Sequence, residues 1–175
     1  AFMAPFNVAA EYMDRISKGD MPEQITAEYK GDFNEIKNNL NQSINAVTGL
    51  VSEANMLTDA AVEGKLDTRG NANNFDGDFA RIVQGINSTL DAVIGPLNVA
   101  AEYVDRIAKG DIPERITEEY KGDFNEIKNN LNDLIDNLQN LTKAALSIAN
   151  GDMSVQVNTR SDHDELVIAF QNMIA

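Results

Sequence analysis

Apolar residues step through the chain at three and four positions, and the longest such run is Phe124, Ile127, Leu131, Leu134, Leu138, Leu141, Ala145 and Ile148. Steps alternating three and four over nearly four heptads, without Gly or Pro, predict a coiled-coil helix whose seam faces another helix. Shorter stripes recur. Leu97, Ala100, Val104 and Ile107 predict a first helix, closed by a basic last turn and Gly110. Ile36, Leu40, Ile44 and Val47 continue from Phe33, and Ile82, Ile86, Leu90 and Val93 from Phe79. Each contains two consecutive fours, a stutter that turns the core face of the helix.

The stripes belong to a repeat. Tyr29–Asn41 and Tyr120–Asn132 are identical, and the regions from Pro5 and from Pro96 are near copies. Gly–Asp–Phe recurs at 31, 77 and 122, so the repeat is near 45 residues, within the range of structural arrays. Four units are expected: 1–49, 50–95 (divergent), 96–140 (near copy of the first) and 141–175 (divergent and truncated).

Within a unit the order is first helix, connector, second helix. Pro5 and Pro96 stand at first-helix starts, where a missing amide hydrogen costs least. Gly19, Gly64, Gly110 and Gly151 are the stops. The connector carries isolated apolar pegs on extended chain: Met21 and Ile25, Ile112 and Ile116, Met153 and Val157. In the second unit Leu66 fills the first place, while Gly70–Asn71–Ala72 offers no second peg. Asp32, Asp78, Asp123 and Glu165 mark the second-helix starts, with Asp123 expected to cap and Glu126 to complete a capping box.

Connector length sets chain direction. A first helix of about thirteen residues is ~20 Å long, and a connector of roughly fourteen residues can reach ~46 Å. An antiparallel hairpin needs far less chain, so the two helices are expected to run parallel. Units of this size approach the limit for a self-sufficient core. With no cysteine available as a staple, a second copy of the chain is the expected source of burial.

Charge narrows the partners. A net charge of −14, from 14 basic and 28 acidic residues, argues against nucleic acid and anionic membrane surfaces. No run approaches the roughly twenty apolar residues of a membrane span, and the opening Ala1–Pro5 lacks a basic, export-type start.

Candidate chemistry is sparse. Asp162–His163–Asp164–Glu165 could suggest a metal, but adjacent residues at a helix start do not share one face, and acids suit that terminus. Asn74–Phe75–Asp76–Gly77 fails as a calcium loop, because Ala72 and Val83 would occupy ligand positions. The triplets at Asn41, Asn87 and Asn140 match the glycosylation pattern but lie on expected helices. One histidine cannot supply a di-iron bundle, and no nucleotide fingerprint is present. Neither an enzyme nor a cofactor is expected.

The plan of helix, Gly–Asp, two-peg connector and second helix resembles the HAMP domain of bacterial receptors and sensor kinases, in tandem array. The resemblance rests on Pro96–Leu97, Gly110–Asp111, Ile112, Ile116 and Asp164–Glu165–Leu166. Prolines 22 and 113 in the connectors, and the extra connector residue of the second unit, depart from the pattern. The resemblance implies an all-α fold of tandem parallel four-helix bundles, made by a homodimer with two helices and a connector per unit per chain. It implies a core seam of Phe33, Ile36, Leu40, Phe79, Ile82, Ile86, Leu97, Val104, Ile107, Phe124, Ile127, Leu131, Leu138, Leu141 and Leu166. It also implies a cytoplasmic signal relay between covalently linked sensor and output domains. A passive dimeric spacer would use the same heptads but would need neither pegs nor stutters.

Overall fold

A computed structural model describes residues 3–174; Ala1, Phe2 and Ala175, at the ends of the first and last expected units, lie outside it. The described residues form five α-helices and no strand: α1 Met3–Ser17, α2 Asp32–Val62, α3 Gly77–Ala108, α4 Asp123–Ala149 and α5 Glu165–Ile174. A single 3₁₀ turn spans Ala72–Asn74. The fold is all-α. The chain divides into two compact units, Ala1–Ile94 and Gly95–Ala175, and the division falls inside α3.

Three of the helices run from one repeat into the next, as the unbroken stripes require. Pro5 lies in the first turn of α1, but Pro96 lies inside the 32-residue α3 rather than at a helix start. Its missing amide and the crowding of its ring each cost a helix interior. They do not end α3, whose Val99 and Ala100, just past the proline, face Phe124, Ile127 and Leu131 of α4.

Every first-helix segment ends the same way. Gly19, Gly64, Gly110 and Gly151 have φ of 77°, 75°, 82° and 86°. The amide after each reaches back five residues, as in Asp111 N to the carbonyl of Arg106 at 3.0 Å and Lys65 N to that of Ala60 at 2.8 Å. Each glycine's own amide bonds a carbonyl three residues back. This is the Schellman arrangement, whose left-handed residue carries no Cβ penalty when it is glycine. At two of the four stops an arginine fastens the turn: Arg15 Nε meets Asp20 and Arg106 Nε meets Asp111, both at 2.6 Å. Each guanidinium holds its partner carboxyl below the usual carboxylate range, chiefly by hydrogen bonding.

Second-helix starts differ from expectation. Gly31 and Gly122, not Asp32 and Asp123, occupy the N-cap, and no side chain caps either helix. The carbonyl of Gly122 accepts from Asn125 N at 3.0 Å and from Glu126 N at 3.4 Å. Asp32, Asp123 and Asp78 instead sit in the first turn, where a carboxylate complements the exposed amides. In α5, Glu165 likewise belongs to the first turn, and Asp164 is the capping residue before it.

Chain direction is settled by two rings. Phe6, near the start of α1, packs edge-on to Phe33, near the start of α2, with centroids 5.3 Å apart. The helices are therefore parallel, and the connector travels back along α1. In the third repeat Pro96, Val99 and Ala100 of α3 line one small gap with Phe124, Ile127 and Leu131 of α4, the same arrangement.

Each repeat buries its own cluster: Ile25, Leu40 and Ile44; Leu57, Ala60, Val83 and Ile94; Pro113, Ile116 and Ile135; Leu141, Ala144 and Val167. Most expected seam residues lie beside these clusters. Phe33, Ile36, Ile86, Ile107, Phe124, Leu131 and Leu138 are half-buried, and Phe79, Ile82, Leu97, Val104, Ile127 and Leu166 are more open still. Leu40 and Leu141 are buried. Within α5 the buried residue is Val167, one position past Leu166.

Candidate functional site

Apart from the 3₁₀ turn Ala72–Asn74, the connectors are irregular chain laid against helices, so wherever their backbone is buried its amides and carbonyls need partners. Asparagine supplies both. Its side-chain amide offers one acceptor and two donors, matching a peptide's N–H and C=O. Asn132, only 3% exposed, accepts from Ile116 N at 2.7 Å and donates to the carbonyl of Ile116 at 3.0 Å. Asn41 makes the same pair with Ile25, at 2.8 and 3.0 Å. In the second repeat Asn87 makes it with Gly70, at 2.8 Å each way.

A second tie stands one helical turn further on. The residue before each clasped position reaches the residue four places after the asparagine: Gln24 to Asn45 at 2.5 Å, Arg69 to Asp91 at 2.8 Å, and Arg115 to Asp136. The geometry is shared while the chemistry changes from neutral amides to ion pairs. Both ties join connector to second helix, so neither element shifts far without the other.

The pegs divide by depth. Ile25 and Ile116, the clasped ones, are buried, whereas Met21, Ile112 and Val157 are half-buried, and Leu66 and Met153 are exposed. Pro22 and Pro113, which depart from the family pattern, are buried too, and the carbonyl of Pro113 accepts from Gln139 Nε2 at 3.4 Å. Before α2, α3 and α4, Tyr29, Phe75 and Tyr120 respectively stand half-buried. Gly49 of α2 faces Phe75 directly.

The chain between α4 and α5 is tied differently. Gln171 Nε2 donates to the carbonyl of Val157 at 2.8 Å. Asp164 is buried, receives Nε and Nη2 of Arg160 at 2.7 Å each and the Arg160 amide at 3.0 Å, and caps α5 through Val167 N. The arginine fork, ahead of the amide bonds, holds its carboxyl far below the usual range. That carboxylate is committed to structure, which removes it from any metal set with Asp162, His163 and Glu165. Among the described residues no cluster of metal-ligating side chains stands together.

The asparagine clasp was missed from sequence. Asn41 and Asn87 drew notice as glycosylation triplets, yet both side-chain amides are engaged with connector backbone. A usable signal existed: asparagine, a weak helix former, stands after Leu40, Ile86 and Leu131 in three repeats.

Parallel helices, a glycine stop, buried pegs and a connector clasped to the second helix together form one recurring module. A family model described as HAMP domain matches residues 1–49 and 74–140. The chain belongs to the HAMP domain family. The HAMP match takes in both near-identical repeats and the second helix of the divergent one. No solved structure matches the chain. HAMP domains are non-catalytic signalling modules of receptors and sensor kinases, placed between linked sensor and output domains. No described helix is long and apolar enough to cross a membrane.

Proposed function

We propose that this chain is four tandem HAMP units, 1–49, 50–95, 96–140 and 141–175, acting as a parallel homodimer. In that dimer each unit closes a four-helix bundle, and the array relays conformational change between a sensor and an output module of a bacterial receptor or kinase. It does so by exchanging helix packings, in the cytoplasm or as the cytoplasmic part of an inner-membrane receptor. It carries no chemistry and needs no cofactor.

The repeated clasp is the observation that supports a relay over a spacer. A spacer requires only a seam, whereas here the clasps and neighbouring ties make connector and second helix move together. Open apolar surface supports the dimer. A folded monomer of 19.1 kDa exposes about 8,400 Å², and two compact halves about 10,000 Å²; this chain exposes 12198 Å². Seam residues such as Leu134 and Val104, 39% and 53% exposed, lie on that surface.

The test is a chimera carrying the array between a known sensor and a kinase, with Asn132→Ala introduced. Altered basal or stimulated output with dimerisation intact is expected. Output equal to the parent, with the Ile116 amide demonstrably freed, would favour a passive spacer.

A further inference from the structure

Three positions meet where the connector seats between the two helices, and all three change together in the second unit. In units one and three they are Val8, Ile25 and Lys37, and Val99, Ile116 and Lys128; in unit two they are Glu53, Gly70 and Val83. Apolar bulk has moved from the connector to the second helix, and the polar chain from the second helix to the first. Val83 is completely buried, where its counterparts Lys37 and Lys128 are half-buried.

Gly70 is there for room. It is absent from the left-handed glycines, so an L side chain could adopt its backbone. A Cβ built on it would lie 2.7 Å from Val83 Cγ1 and 3.3 Å from Glu53 Cγ and Oε1. Glu53 Oε1 accepts from Asn71 N at 2.5 Å while Asn87 holds both polar groups of Gly70. The main chain itself is thus the wedge between the helices. The extra connector residue falls just beyond, beside the 3₁₀ turn Ala72–Asn74.

We propose that positions 53, 70 and 83 form a packing code that commits unit two to a main-chain seat, incompatible with the isoleucine seat of units one and three. Hybrids are worse than either parent set: isoleucine at 70 collides with Val83, and lysine at 83 over glycine leaves a void where a side chain belongs. This code rests on packing alone and holds whether or not the array relays a signal.

The experiment compares melting temperatures of the full chain carrying Gly70→Ile, Val83→Lys or Glu53→Val alone, the first two as a pair, and all three together. The code predicts that each single variant melts lower, and that the triple melts higher than the summed single losses allow. A Gly70→Ile chain that melts like the parent, or losses that simply add, would overturn it. If Gly70→Ile does not fold, Gly70→Ala against Gly70→Ala/Val83→Ala decides. The second change should recover part of the loss by making room for the new methyl, and no recovery refutes the code.

Discussion

Replacing Asn132 by alanine isolates the clasp, because it removes the amide while leaving the helix backbone and the Ile116 side chain unchanged. Two buried peptide groups, the N–H and C=O of Ile116, then lose partners at 2.7 and 3.0 Å. A buried donor or acceptor left unsatisfied costs about 1–3 kcal/mol, so the upper bound is about 6 kcal/mol. Alanine is the better helix former, and the space vacated by the amide can admit water. We therefore expect a net loss of about 2–3 kcal/mol. For a chain of this size that lowers the melting temperature by roughly 4–12 °C. Hydrogen exchange gives the sharper signature: the Ile116 amide should lose protection selectively, while amides within α4 keep theirs. An Ile116 amide that exchanges as slowly as in the parent, with melting unchanged, would show that the clasp fastens nothing.

Further outcomes follow from the same contacts. Ile116→Ala should cost about 2–5 kcal/mol, and Ile112→Ala clearly less because Ile112 is half-buried; urea unfolding with equal losses would contradict this ordering. Gly110→Ala should cost about 1–2 kcal/mol, since φ of 82° is strained for any residue with a Cβ, and a neutral result by thermal melting would contradict the stop geometry. The Asp164 carboxyl is depressed below its unfolded value, so its stabilisation is complete above about pH 4 and falls as pH drops toward the folded value. Circular dichroism or exchange on α5 should therefore register loosening below about pH 4, and Arg160→Ala should flatten that dependence; an unchanged profile would contradict the Arg160–Asp164 link.

The sequence disclosed what repeats as side-chain pattern and concealed what depends on main chain. Helix stops were legible because a left-handed residue after a stripe all but requires glycine. The starts are ambiguous because an acid in the first turn and an acid at the N-cap look alike in sequence; Asp123 fits the cap by pattern, but Gly122 provides it. Pro96 suggested a boundary because proline opens helices more often than it interrupts them, yet the stripe carried α3 through it. The clasps stayed hidden since their partners are peptide groups with no residue type to betray them. The second unit lacked a peg in sequence for a related reason: its peg is backbone, with Val83 supplying the bulk from the opposite side.

The relay itself is tested most directly by perturbing one unit and measuring another. With a spin label on a Leu134→Cys variant, pulsed dipolar spectroscopy reads the distance between protomers in the third unit, while Asn41→Ala releases the clasp of the first. A coupled array predicts a defined distance in the parent and a shifted or broadened one when Asn41 is replaced. The same distance distribution in both, or no dipolar coupling between protomers at all, would contradict it.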